Sequence, residues 1–170
     1  MKPIETERLL IRHVNLDDAE FILKLYNDPL FIRNIGDRNM KTIDDAKTYI
    51  EIRFFPQIEE KGYGNCTIIL KETNEKIGGV GIFHRPEFEI PDIGFSLLPE
   101  FHGKGLAFEA ASALLENAKD EFNIKAISAI TTNENQASQN LIERLGLVYQ
   151  RDQLFPETNE ILRCYATYFG

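Results

Sequence analysis

Residues 91–118 constrain the fold more than any other stretch. Pro91 to Leu98 (P-D-I-G-F-S-L-L) is a short, mostly apolar extended run that stops at Pro99. Farther on, Ala107, Ala110, Ala111, Leu114, Leu115 and Ala118 recur at three- and four-residue intervals, the period of a helix lying on a sheet. Between them stands E-F-H-G-K-G-L, with glycines at 103 and 105. The first N–H groups of such a helix lack intrahelical acceptors, and the macrodipole makes that end partly positive. Glycines there let several amides converge on an anion without a Cβ in the way. Lys104 adds a charge at the rim.

Two phosphate motifs are tested against this loop and fail. A P-loop needs G-x-x-x-x-G-K followed by Ser or Thr, and Gly103-Lys104-Gly105-Leu106 does not supply it. A dinucleotide fingerprint needs a third glycine where Phe108 stands. The bland alternative is a glycine-eased strand-to-helix turn that binds nothing.

The rest of the chain alternates strand and helix patterns. Glu7–Val14 reads as a strand with Leu9 and Ile11 on one face. Asp17 is the expected cap of a helix burying Phe21, Ile22, Leu25 and Tyr26 and ending by Asp28-Pro29. Residues 30–41 read as a short helical turn or a loop around Gly36. Thr42 with Asp45 opens a second helix, which Pro56 should kink or end. Strands are expected at 65–71, 76–84 and 91–98, a helix from 105, a strand at 124–131, a helix at 135–145 stopped by Gly146, and strands at 147–151 and 161–168. The glycines of G-G-V-G (residues 78–81) permit close backbone approach. With no repeat or linker, the 170 residues read as one mixed α/β domain.

Composition narrows the function classes. A net charge of -8 argues against a nucleic-acid partner and mildly for cationic substrates. Cys66 and Cys164 are too few and too far apart for a zinc site or a disulfide framework, and read as inert thiols. The first residues, M-K-P-I-E-T-E, hold no apolar signal core, and no run reaches membrane-spanning length, so a cytoplasmic protein without membrane contact is expected.

Three ordered segments then carry a resemblance. His102-Gly103-Lys104-Gly105-Leu106-Ala107 resembles the Q/R-x-x-G-x-G/A acetyl-CoA motif of the GCN5-related N-acetyltransferases (GNAT). Asp92-Ile93-Gly94-Phe95-Ser96-Leu97-Leu98-Pro99 is similar to the fourth strand of that family's RimJ/RimL-like branch. The run Ala129-x-Thr131-x-x-Glu134-Asn135-x-x-Ser138-x-Asn140-Leu141-x-Glu143-Arg144-Leu145-Gly146-Leu147 is similar to its second cofactor segment. Glu5-Thr6-Glu7-Arg8-Leu9-Leu10-Ile11-Arg12 matches the branch's usual first strand. His102 departs from the family's Gln or Arg. Ile142 stands where many members place a tyrosine acid.

The resemblance implies a fold and a mechanism. The fold is α/β (α+β), with one mixed, mostly antiparallel sheet whose central strands splay, flanked by helices. Acetyl-CoA would lie in the splay, with no metal. The backbone of Ser96, Leu97 and Leu98 would pair with the pantetheine arm. The amides of His102 to Ala107, including Gly103, Lys104, Gly105 and Leu106, would hold the pyrophosphate. An N–H near Leu98 would polarise the thioester carbonyl. Asn135 would hold the arm from the other side, and Asn140 belongs to the same cofactor segment.

Direct acetyl transfer needs a neutral amine, so a carboxylate is expected to accept the proton, directly or through water. The resemblance makes Asp92 the candidate, since it stands at the fourth-strand position where histone-modifying members place their catalytic glutamate. Alternation puts it on the face of Gly94, Ser96 and Leu98, and punctuation after Pro91 is its bland reading. Ser138 is the candidate acid for the thiolate, and a helix-start hydrogen bond is its bland reading. The acceptor would be a protein N-terminus or a small-molecule amine, met by residues 28–41 and the second helix; a homodimer is the family's suggestion. A non-catalytic acyl-CoA-binding module of the same fold is the competing reading. His13 and His84 read as satisfied or exposed strand histidines, Glu87 and Glu89 as a solvated edge near Asp92, and Tyr49, Phe54 and Phe55 as core.

Overall fold

In the computed structural model, which describes residues 1–86 and 88–170, eight strands form one sheet. They are β1 (Ile4–Glu5), β2 (Leu9–His13), β3 (Asn65–Leu70), β4 (Glu75–Phe83), β5 (Asp92–Leu97), β6 (Ala126–Thr132), β7 (Val148–Phe155) and β8 (Glu160–Tyr168), in spatial order β1-β2-β3-β4-β5-β6-β8-β7. Every neighbouring pair is antiparallel except β5 and β6. That parallel pair registers only at Asp92 opposite Ser128. Beyond it the strands part, which is the splay expected from the family resemblance.

The helices are α1 (Ala19–Tyr26), α2 (Pro29–Asn34), α3 (Ile43–Tyr49), α4 (Phe55–Lys61), α5 (Leu106–Phe122) and α6 (Gln136–Arg144). Helix α5 covers one sheet face, where its small and leucine side chains pack with Leu9, Ile11, Ile93, Ile127, Tyr165 and Ile142 of α6. On the opposite face, α1 and α3 build a second core around Ile22, Leu25, Ala46, Ile50, Phe54 and Leu98. Tyr49, Phe54 and Phe55 belong to it, as expected. Tyr49 meets Phe54 edge-on at 5.3 Å between ring centroids.

One local expectation is corrected and two open ones are resolved. The cap before α1 is Asn15, not Asp17: its side chain accepts from the Asp17 amide at 2.9 Å, and Asp18 returns the bond to the Asn15 amide at 3.0 Å. This capping box lies on a 3₁₀ turn at Leu16–Asp18 that precedes α1. Residues 29–34 form α2, capped by Asp28 with Pro29 in the first turn. Pro56 does not end a helix. A π-helical turn at Ile50–Phe54 absorbs the break, and Pro56 then sits in the first turn of α4, where a missing N–H costs nothing.

The Thr42–Asp45 capping box, the left-handed Gly146 and the turn between β3 and β4 follow the sequence reading. Burial holds the Cys66 thiol up at about 12 and raises that of Cys164, so neither is a thiolate at neutral pH. His13 is half-buried with Nε2 unpartnered among the described residues, and burial lowers its pKa, so it stays neutral.

Glycine at 78 is a packing requirement. Ile77 is left over in the β3–β4 register, where Ile68 pairs with Gly78 and Ile69 with Lys76. A Cβ at Gly78 would collide with the Ser96 carbonyl oxygen and the Leu97 side chain. Gly78→Ala is expected to cost about 1–3 kcal/mol and to lower the melting temperature by roughly 2–4 °C per kcal/mol at this chain length. A melt within 1 °C of wild type, about the error of the measurement, would refute the close approach.

Candidate active site

The parallel β5–β6 pair puts both C-terminal strand ends at one end of the sheet. One is followed by the glycine loop and α5, the other by the turn at 133–135 and α6. Main-chain direction then decides what faces the splay. The Leu98 amide donates to the Ile77 carbonyl at 2.9 Å, and the Ser128 amide donates to the Pro91 carbonyl at 2.8 Å. Polar groups alternate sides along a strand. Between these two fixed points, Ser96 and Leu98 therefore turn their main chain to β4, while Phe95 and Leu97 turn theirs to the gap.

This corrects the expectation that the backbone of Ser96 and Leu98 pairs with the arm: both turn into the sheet, where the Leu98 N–H is consumed, and within the 96–98 run only Leu97 faces the gap. Phe95, outside the expected run, and Leu97, within it, present their main chain to the gap instead. Strand parity would have found them once the partner strand was known.

His102 also has a definite role. Its Nε2 lies 2.9 Å from the Leu97 carbonyl. A carbonyl only accepts, so Nε2 carries the proton and the ring ties the loop to the end of β5. The residue in place of the family's Gln or Arg thus acts on the strand end, while its amide donates to Pro99.

The loop itself is an amide cradle. Gly103 and Gly105 have φ of +73° and +75°, a region costly for residues with a Cβ. The amides of Gly103, Lys104, Gly105, Leu106, Ala107 and Phe108 donate to no acceptor among the described residues, and α5 has no side-chain cap. No atom stands within 4 Å of where a Cβ on Gly103 would be. Lys104 is exposed, with Nζ 5.6 Å from the Phe101 ring centroid. An open set of unpaired N–H groups at the start of a 17-residue helix fits a diphosphate.

Asp92 sits at the closed end of the splay. It is 1% exposed, and its Oδ1 accepts from Arg85 Nε at 2.7 Å. Its register partners are Phe83 on β4 and Ser128 on β6. Glu89 is exposed and lies outside any strand, in keeping with a solvated edge; Glu87 lies outside the described residues. His84 contacts the Tyr63 hydroxyl through Nε2.

At the other wall, Asn135 caps α6: its Oδ1 accepts from the Ser138 amide at 3.1 Å, which leaves its Nδ2 to donate. The Ser138 hydroxyl is half-buried, with no partner among the described residues. Asn140 is exposed and accepts from Gln136. Buried Gln139, unnoticed in the sequence, pins the turn by donating to the Thr132 and Asn133 carbonyls while accepting from Arg163. Ile142 is buried in the core under α6, so no acid acts from that position. The described residues include no cluster of three or more His, Cys, Asp or Glu able to hold a metal, and no helix long and apolar enough to cross a membrane.

Known proteins share this arrangement. The chain is 29% identical over 145 residues to the uncharacterized N-acetyltransferase YoaA of Bacillus subtilis, a match covering 84% of this chain and 81% of that one. A crystal structure of a GNAT-family acetyltransferase from Bacillus anthracis superposes with a TM-score of 0.79 at 26% identity, covering 98% of both chains. A RimL ribosomal L7/L12 α-N-protein acetyltransferase in complex with coenzyme A shares the fold at a TM-score of 0.85, with 16% identity over 99% of this chain and 98% of that one. Residues 8–148 match the model of the acetyltransferase (GNAT) domain. With that model matching more than half of its residues, the chain belongs to the GNAT acetyltransferase family.

Proposed function

We infer that the protein, as one domain over residues 1–170, moves an acetyl group from acetyl-CoA to a primary amine by direct transfer. The observation that carries this reading is the gap that opens beyond Asp92 with the unpaired amides of residues 103–108 at its mouth. The amides from Gly103 to Phe108 take the diphosphate. The gap-facing main chain of Phe95 and Leu97 pairs with the pantetheine arm, and one of its N–H groups donates to the acyl oxygen as charge develops there.

Asn135 Nδ2 donates to the arm from the α6 side. The acceptor amine approaches along the sheet face shared by Asp92, Gly94 and Ser96. An ammonium must lose its proton before it can attack; Asp92 accepts that proton through a water. Ser138 Oγ, a hydroxyl with no partner among the described residues, returns a proton to the thiolate.

Free thiol release from acetyl-CoA, followed across a panel of peptides and small amines, tests the reading. Turnover with a peptide α-amine or a polyamine supports it and identifies the acceptor. Thermal stabilisation by acetyl-CoA with no thiol release on any amine would instead indicate a binding module. Gly105→Val forces a β-branched residue to φ near +75°, a strain of about 1–3 kcal/mol. That should weaken coenzyme A roughly tenfold to a hundredfold; unchanged affinity would place the diphosphate elsewhere.

A further inference from the structure

In the sequence Glu7–Val14 reads as a strand, yet Thr6 and Arg8 stand just before β2 and grip the glycine loop and the first turn of α5 from across the chain. Arg8 Nη1 donates to the Lys104 carbonyl at 2.9 Å, and Arg8 Nε donates to Glu109 Oε2 at 2.7 Å. The other Glu109 oxygen accepts from the Arg8 amide at 2.9 Å and from the Thr6 hydroxyl at 2.6 Å. Burial alone would raise the Glu109 pKa, but donors from Thr6 and Arg8 outweigh it and hold the carboxyl below its ordinary value. Arg8 Nη2 lies 3.6 Å from where a Cβ on Gly105 would stand, so the guanidinium backs the loop at that residue.

Building on the acyl-transfer reading above, we propose that Arg8 is the positioning residue of the diphosphate loop. In a planar trans peptide, carbonyl and N–H point in opposite directions. Holding the Lys104 carbonyl therefore aims the Gly105 N–H away from the guanidinium, and left-handed Gly105 on one side of that peptide, with left-handed Gly103 one residue before it, leaves the loop able to rotate without such a tether. Glu109 fixes Arg8 in turn.

The pair is neutral overall, so Arg8 contributes geometry rather than net attraction for the anion. It also offsets Glu109, whose charge in the first turn of α5 would otherwise repel a diphosphate at the same helix end. A lysine cannot do both tasks, because a single ammonium lacks the fork that spans the Lys104 carbonyl and the Glu109 carboxylate.

The test is calorimetric titration of coenzyme A into the full chain as wild type, Arg8→Ala, Arg8→Lys and Ile68→Val. The last removes a core methylene on β3, with no contact to Arg8 or Glu109 among the bonds above, and gauges what loss of stability alone does to affinity. Both Arg8 variants are expected to bind about tenfold more weakly, a loss of roughly one preorganised contact, with an unchanged KM for the amine, and Arg8→Lys, which keeps the charge, with wild-type salt dependence. Ile68→Val should bind like wild type. Wild-type affinity in Arg8→Lys would show that charge suffices and overturn the proposal, as would unchanged affinity in Arg8→Ala or an equal loss in Ile68→Val. Failure of the wild type itself to bind coenzyme A would overturn the acyl-transfer reading and this proposal with it.

Discussion

Asp92→Asn should lower kcat/KM for the amine by about a hundredfold or more, within the range that positioned proton transfer contributes, while coenzyme A affinity stays within about threefold. Asparagine keeps the shape but cannot take a proton. The cofactor contacts lie on the loop and the gap-facing main chain, so they should survive. The deficit should also depend on pH. A small alkyl ammonium deprotonates near 10 and an α-ammonium near 8, so solvent supplies neutral amine as pH approaches those values, and the variant should recover toward wild type. Arg85 loses its partner, but its side chain is 40% exposed and stays hydrated. A kcat/KM within about threefold of wild type at neutral pH, far short of that hundredfold contribution, would remove Asp92 from the proton path.

Asp18→Asn should cause the largest loss of stability. Asp18 is fully buried where β2, β3, β4 and α1 meet. Its carboxylate takes two bonds from Arg12, at 2.8 and 2.9 Å, one from Lys76 at 2.8 Å, one from the Thr67 hydroxyl at 2.8 Å and one from the Asn15 amide at 3.0 Å. Burial would raise its pKa, but Arg12, Lys76, Asn15 and Thr67 together hold it far below the ordinary carboxylate value.

Asparagine leaves two cations around a neutral group, a change worth about 3–5 kcal/mol when a buried pair is broken, or a fall on the order of 10 °C in melting temperature. Because the folded pKa is depressed, the stabilisation is complete above the unfolded value of about 4 and fades as pH falls toward the folded one. The gap between wild type and variant, measured by urea unfolding, should be full at pH 7 and narrow below about pH 4. Equal midpoints at pH 7 would refute this role.

Both residues show where sequence reasoning stops. Asp92 was legible because strand alternation and a family motif place it on a definite face. Asp18 was passed over beside Asp17, since a helix-start carboxylate looks like a cap until tertiary structure brings Arg12, Thr67 and Lys76 to it. The same holds for Glu109, whose partners Thr6 and Arg8 are 103 and 101 residues away. The error over Leu98 arose differently: alternation was known, but not which neighbour each amide faced.

Local chemistry in the sequence was enough to determine the alternation of strands and helices, the glycine loop at the head of α5, the Thr42 cap and the inert cysteines. Each depends on residues within a turn or two of one another. Tertiary structure alone decided the single β5–β6 register that opens the gap, the direction of the amides lining it, and the ion pairs at Asp18, Asp92 and Glu109. Those depend on groups from separate strands meeting, and a linear pattern carries period and direction but no distance between its distant parts.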